Sequence, residues 1–309
     1  MQSRICLNLH TVEIGSLENS MQAKDAFAAL ETAEKSENEY PILTHKQDGV
    51  TTLTMNTPAR LNGWTMEMMH ALRVGLRIAA RDDETSVLVL TGSDPYYCAG
   101  VNLAATLRLE HPRKLHAMIV EQNQVLFDTF LDFPKPLLVA VNGPAIGASV
   151  TSATLCDGII ASDRATFSTP FAALGVTPEG CSSVHFARIM GEANAKRMLG
   201  KEGWKPSASE ALDAGLIQWF VPHDKLARET HQIALDWIES GAVRSFRAGS
   251  TRDELKAVNA RESVKLADAF LGTPFIKAQF RFLSGKKKWG PAAMFLTLLL
   301  TRPLWSRYL

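Results

Sequence analysis

The segment Phe133–Val150, FPKPLLVAVNGPAIGASV, decides the fold class. Its apolar run Pro136–Asn142 (PLLVAVN) is short and rich in Leu and Val, which predicts a strand covered on both faces. The run stops at Asn142-Gly143-Pro144, and the small residues Gly147-Ala148-Ser149 then open a helix. The same alternation continues outward in both directions. Val50–Met55 and Ser86–Thr91 (SVLVLT) predict strands upstream, and Gly158–Ser162 (GIIAS) predicts one downstream. Met66–Ala80 predicts an amphipathic helix and Leu115–Asp132 a further helix between them. Near-continuous apolar strands separated by helices predict an α/β fold with largely parallel strands.

Beyond Val221 the strand signals cease. Asp224–Glu239, Thr251–Leu271 and Pro274–Leu283 predict helices, with Gly241 and Gly272 as stops. The expected plan is a leader over 1–39, an α/β core over 40–222, a helical C-terminal region over 223–288 and an apolar extension over 289–309. The leader carries many acids and little apolar periodicity. It fits an Arg-rich transit peptide poorly and is expected to be loosely ordered or a short helix. In the extension, Ala292–Leu300 is about half the ~20 residues that a membrane span requires. It predicts a helix docked on the body or on a neighbouring subunit. Weak interfacial attachment helped by Lys286–Lys288 is the alternative.

At 309 residues the chain can bury a substantial core, as one large domain or two modest ones. A net charge of +1, from 33 basic and 32 acidic residues, leaves no bulk electrostatic footprint for nucleic acid. Cys6, Cys98, Cys156 and Cys181 are widely spaced with no CxxC, which predicts reduced thiols. The eight histidines form no metal-ligating pattern. GxSxG, P-loop and dinucleotide spacings are all missing, which argues against a serine hydrolase or a nucleotide fold.

The candidate chemistry lies in three turns. Ala165–Ser183, ATFSTPFAALGVTPEGCSS, ends an apolar segment in a Pro-Glu-Gly bend that carries Glu179. A lone Glu in a turn is ordinarily solvated surface. Here Phe167, Phe171, Leu174, Val176 and Pro178 precede it, and an apolar setting raises a carboxylate towards values useful to a general base. The second turn, Tyr96–Leu103, follows the strand Ser86–Thr91, and Gly100 in it serves at least the backbone angles. The third is the turn before the helix opened by Ala148. Two small-residue turns after successive strands can lie side by side, so that the Val101 and Ala148 N–H groups converge on one carbonyl oxygen.

The chain resembles the crotonase (enoyl-CoA hydratase/isomerase) superfamily, and within it the peroxisomal-type Δ3,Δ2-enoyl-CoA isomerase 2 branch. The resemblance is carried by NTPARLN (Asn56–Asn62), TGSDPYYCAGVNL (Thr91–Leu103) and FPKPLLVAVNGPAIGASV (Phe133–Val150). It continues through CDGIIASDRATFSTPFAALGVTPEGCSS (Cys156–Ser183) and ASEALDAGLIQWFVP (Ala208–Pro222), and extends from about Tyr40 to Lys288. It implies a spiral of ββα units, a helical C-terminal region used in trimer formation, and an acyl-CoA thioester as ligand. The positions of the two hydratase glutamates fall on Thr151 and Phe171, which cannot transfer protons usefully, so the resemblance implies isomerisation rather than hydration. Glu179 falls on the single acid/base of the isomerase branch. The second oxyanion position, often Gly in the family, is Ala148, and Asn102 replaces a common Asp as a structural change.

The enzyme expected on these grounds is an enoyl-CoA isomerase of fatty-acid β-oxidation, with Glu179 as acid/base and the Val101 and Ala148 N–H groups as oxyanion hole. Substrate and CoA contacts are expected from Arg60, Cys98, Ala99, Gly100, Asn102, Leu103, Gly147 and Phe171. Lys286–Lys288 are further candidates for the CoA phosphates. No cofactor is expected, because CoA enters with the substrate. A homotrimer, or a hexamer, is implied, in a peroxisome-like organelle or the mitochondrial matrix. The C-terminal Ser306-Arg307-Tyr308-Leu309 matches an SKL-type signal only with an inserted Tyr. Three alternatives remain open. One is a thioesterase using Cys181 and His185, four residues apart. Another is a non-catalytic acyl-CoA-binding module. The third is a dienoyl-CoA isomerase, which needs an additional pocket acid for which the sequence offers no clear candidate. Acyl-chain preference depends on how Ala105–Ile119 folds over the chain.

Overall fold

The computed structural model describes residues 40–101 and 110–309. The expectations for 1–39, and for Asn102, Leu103 and the segment from Ala105 to 109, lie outside those residues.

Strand β1 (Ile42–Gln47) pairs antiparallel with β2 (Val50–Met55) through the turn at Asp48-Gly49, both in left-handed conformation. Strands β3 (Val87–Gly92), β4 (Leu137–Val141), β6 (Gly158–Ser162) and β8 (Trp219–Val221) then extend the sheet in parallel, in the order β1-β2-β3-β4-β6-β8. The period-2 alternation of these strands divides the core. Leu88, Leu90, Leu137 and Val139 face the main cluster, while Val87, Val89, Leu138 and Ala140 face a second one. The second cluster is closed by Leu226 and Ala234 of the helix Leu226–Glu239. Burial on both faces explains why the central strands are continuous apolar runs.

A second, short layer makes the fold a spiral. Strand β5 (Ala145–Ile146) pairs in parallel with β7 (Phe167–Ser168), and single parallel bridges join Cys98 to Ala145 and Trp64 to Val101. Strands β2, β3, β4 and β6 are therefore each followed by a single bridge or a brief strand of the second layer and then by a helix. These helices are α1 (Met66–Arg81), α2 (Pro112–Leu131), α3 (Ala148–Thr154) and α4 (Phe171–Leu174). Thr65 caps α1, its Oγ1 accepting from the Met68 N–H at 3.2 Å, and Met68, Leu72, Leu76 and Ala79 form its buried stripe.

Helices α5 (Ser182–Leu199) and α6 (Ala208–Asp213) follow, and α7 (Leu226–Glu239) covers the sheet. Ser207 and Glu210 form a capping box at the start of α6. The C-terminal helices are α8 (Arg252–Phe270), α9 (Thr273–Gly285) and α10 (Trp289–Trp305). A buried ion pair ties the chain ahead of α8 to the sheet. Arg244 donates to Asp157 Oδ2 at 2.9 Å, and the same carboxylate accepts from the N–H groups of Leu137 and Ser245. Helix α8 lies against α2, where Asn123 donates to Ser263 Oγ and Asn259 donates to Asp128. Helix α10 packs on α9 through Phe275, Ile276 and Phe295. Among the described residues, no helix is long and apolar enough to cross a membrane.

Candidate active site

The two small-residue turns lie side by side, held by the second layer. Cys98 pairs with Ala145, and the Ile146 N–H donates to the Cys98 carbonyl at 3.0 Å. Val101 and Ala148 each lie three residues beyond this rung, so the strand register brings their N–H groups to the same level. Gly100 has a φ of 83°, and a Cβ there would stand 2.8 Å from the Ile146 carbonyl oxygen; only glycine allows the turns to approach so closely. Gly147 has a φ of 62° and is the N-cap of α3, which leaves the Ala148 N–H at the first helical position without an intrahelical acceptor. Neither the Val101 nor the Ala148 N–H has an acceptor among the described residues. Val101, Gly147 and Ala148 all line one cleft of about 1040 Å³, part of it open to solvent.

Glu179 lines the same cleft. The Glu179 carbonyl accepts from the Ser182 N–H and Oγ, and Gly180 and Cys181, with φ of 62° and 66°, make the bend between them. A Cβ on Gly180 would run into the Phe127 ring and stand 2.7 Å from Thr151 Oγ1. Bend and packing together therefore require glycine at this position. Glu179 is 8% exposed, and its carboxyl finds no hydrogen-bond donor among the described residues. Burial, with the charge of Glu262 added, pushes it up to about 8.

Glu262, which sequence reasoning missed, comes from α8 and is 3% exposed. Its carboxylate accepts from the Cys181 N–H at 2.6 Å and the Ser183 N–H at 2.9 Å, capping the start of α5 from a distance. Burial pushes Glu262 up, but these two donors favour its ionised form, while Glu179 has no such donor. Glu262 is thus the ionised member of the pair and Glu179 the one poised to take or hold a proton. Glu262 is not among the residues that line the cleft, so it does not supply a second acid there. Asn123 and Gln122 of α2 also line the cleft and carried no sequence signal beyond their place on a predicted helix.

The other expected residues divide. Ala99, Gly100 and Phe171 line the cleft. Cys98 is fully buried beside it, its thiol pushed up to about 12 by burial, and shapes the turn through its backbone and through its sulfur, which accepts from the Gly100 N–H at 3.3 Å. Arg60, in the 3-10 turn Pro58–Arg60, and Lys286–Lys288 are exposed and do not line the cleft. The Cys181/His185 pair does not form a dyad. The Cys181 thiol donates to the Leu255 carbonyl and is pushed up by burial, while His185 bonds the Thr154 carbonyl and Ser250 Oγ. Thr151 is buried with its hydroxyl on the Ala148 carbonyl.

The model of the enoyl-CoA hydratase/isomerase family matches residues 45–275, and the chain belongs to that family. It is 36% identical over 283 residues to a human protein named enoyl-CoA delta isomerase 2, covering 88% of this chain and 69% of that protein. It is 33% identical over 267 residues to mouse enoyl-CoA delta isomerase 3, peroxisomal, covering 82% of each. Among solved structures, the enoyl-CoA hydratase/isomerase of Pseudoalteromonas atlantica T6c superposes with a TM-score of 0.67 at 26% identity, over 79% of this chain and 97% of that one. The fold is the crotonase spiral, the family implies an acyl-CoA substrate, and the relatives support an enoyl-CoA isomerase among the family's activities.

Proposed function

We propose that the protein moves the double bond of a β,γ-unsaturated acyl-CoA into conjugation with its thioester, as a Δ3,Δ2-enoyl-CoA isomerase. The observation that carries this reading is a buried carboxyl, Glu179, unpaired among the described residues, in a cleft shared with two N–H groups that find no acceptor among those residues. The thioester oxygen accepts from Val101 and Ala148. Glu179 removes the proton at C2, the electron pair shifts onto the thioester oxygen, and a dienolate forms. The protonated Glu179 returns the same proton at C4, leaving the C2=C3 bond. One carboxyl suffices because the proton is only relocated, and no redox cofactor is needed. Hydration requires a second proton-transferring group to work a water molecule. Thr151 and Phe171 supply none, which favours isomerisation over the hydratase reaction of the same family.

A place in fatty-acid β-oxidation, assembly as a homotrimer or hexamer, and residence in peroxisomes or the mitochondrial matrix belong to the same proposal. They are supported by the names of the relatives and by the family resemblance. The test follows the absorbance of the conjugated thioester after adding a β,γ-enoyl-CoA to wild type and to Glu179→Gln. Conversion by wild type and a loss of at least a thousandfold in the variant is the expected result. Undiminished turnover by Glu179→Gln would remove the assignment, and acyl-CoA binding without conversion by wild type would favour a binding module.

A further inference from the structure

A second cavity, of about 730 Å³ and partly open, lies beside the cleft and shares two wall residues with it, Leu115 of α2 and Phe270 at the end of α8. Its other walls include Ile276 of α9 and Met294, Phe295, Leu298 and Trp305 of α10, with Glu110, Pro112 and Leu271 completing the described lining. We propose that this cavity, reached from the cleft past Leu115 and Phe270, holds the distal methylenes of the substrate's acyl chain and gives the enzyme a preference for longer chains. The inference rests on the acyl-CoA reading above and assigns a role to α10, the extension that the sequence left without one.

The chemistry of the walls selects the occupant. Every described residue lining the cavity is apolar or has its polar group engaged. The Trp305 indole N–H donates to the Leu298 carbonyl at 3.1 Å, and Glu110, at the rim, is paired with Lys114 at 2.8 Å. Among the described residues no free donor or acceptor is left to fix the head group of an independent polar ligand, which favours an occupant apolar along its length and anchored elsewhere. A chain whose thioester lies at Val101 and Ala148 meets both conditions. The walls are also built to keep the space. Phe270 stacks on Phe275 at 4.6 Å, Phe275 packs edge-on against Phe295, and Arg302 donates to the Leu271 carbonyl, fixing α10 to the end of α8. Each methylene taken from water into such a site is worth roughly fourfold in affinity.

The test is a calorimetric titration of the full chain with hexanoyl-CoA and dodecanoyl-CoA, which do not react. Wild type should bind the longer thioester at least tenfold more tightly. Leu298→Trp, which fills the cavity, should abolish that preference and leave hexanoyl-CoA affinity within twofold, while Leu298→Ala should keep the preference. Met294→Trp, one turn earlier on α10, repeats the filling test if Leu298→Trp fails to fold. Equal affinities in wild type, or a filled variant that weakens both thioesters alike, would overturn the proposal. Binding of neither thioester by wild type would overturn the acyl-CoA reading itself, and the tail site with it.

Discussion

Glu262 holds the peptide groups immediately beyond Glu179. Its two carboxylate oxygens accept from the N–H groups of Cys181 and Ser183, and its charge raises the carboxyl of Glu179. One buried acid thus fixes the bend that presents the other and adds its charge to the burial that raises that acid's proton affinity.

Removing the charge of Glu262 should therefore move the pH profile. The proposed mechanism needs Glu179 ionised, so kcat/KM of wild type should rise with pH through an inflection near 8. In Glu262→Gln the inflection should fall by a unit or so, because one like charge is gone. The amide can accept only one of the two N–H bonds, so the variant should also lose about 1.5–3 kcal/mol of stability. A purely structural role would lower stability and leave the inflection in place.

Stability should itself depend on pH through Glu179. Its folded value of about 8 stands above the ordinary value of 4.5 for a Glu carboxyl, so between these limits the native state holds more protons than the unfolded one. Stability must then fall as pH rises across that window, with a slope of at most about 1.4 kcal/mol per pH unit from this one group. Denaturation of wild type and Glu179→Gln across pH 5 to 9 checks it. The difference between them should shift in favour of the variant as pH rises.

Ala148→Pro isolates the second N–H donor. The residue occupies the first position of α3, where proline fits the helix, and the ring Cδ replaces the free N–H hydrogen. The melting temperature should change little, while kcat drops about 10²–10³-fold, the usual cost of one oxyanion donor. Unimpaired turnover in a folded Ala148→Pro protein would remove Ala148 from the oxyanion hole.

Asp157→Ala should destabilise by about 3–5 kcal/mol, because it strands the buried guanidinium of Arg244 along with the Leu137 and Ser245 N–H groups. Denaturant unfolding measures the loss. Restoration of most of the stability by the double variant Asp157→Ala/Arg244→Leu would show that the unpaired charge is the main cost.

The parts of the fold that rest on burial were legible. Strand Val50–Met55 and strand Gly158–Ser162 occur as expected, and α1 begins at the expected Met66, because each shows a period or a continuous apolar run. Strand β1 escaped notice because its outer-edge residues are mostly exposed and polar, and β5 and β7 because two residues carry no periodicity. In the site, the glycines and Glu179 could be read from local turn chemistry. Glu262 could not, since its meaning comes from a partner 81 positions away, and a Glu within the helix RDELKAVNARESVKLADAF looks like any solvated one. The Cys181/His185 pair shows the opposite error. Helical spacing put the two near each other, but the left-handed backbone at Cys181 and its bond to Leu255 turn the thiol away.

The rung between Cys98 and Ala145 has a consequence for how such a site can change over time. Both donors of the proposed oxyanion hole are backbone groups placed by counting three residues from a shared strand pairing, so no side chain at 101 or 148 would have to be kept for the charge to be held. Substitutions there can reshape the cleft without disturbing its electrostatic centre, whereas a one-residue insertion in either turn would put the donors out of step. The site should tolerate drift in composition and reject drift in length.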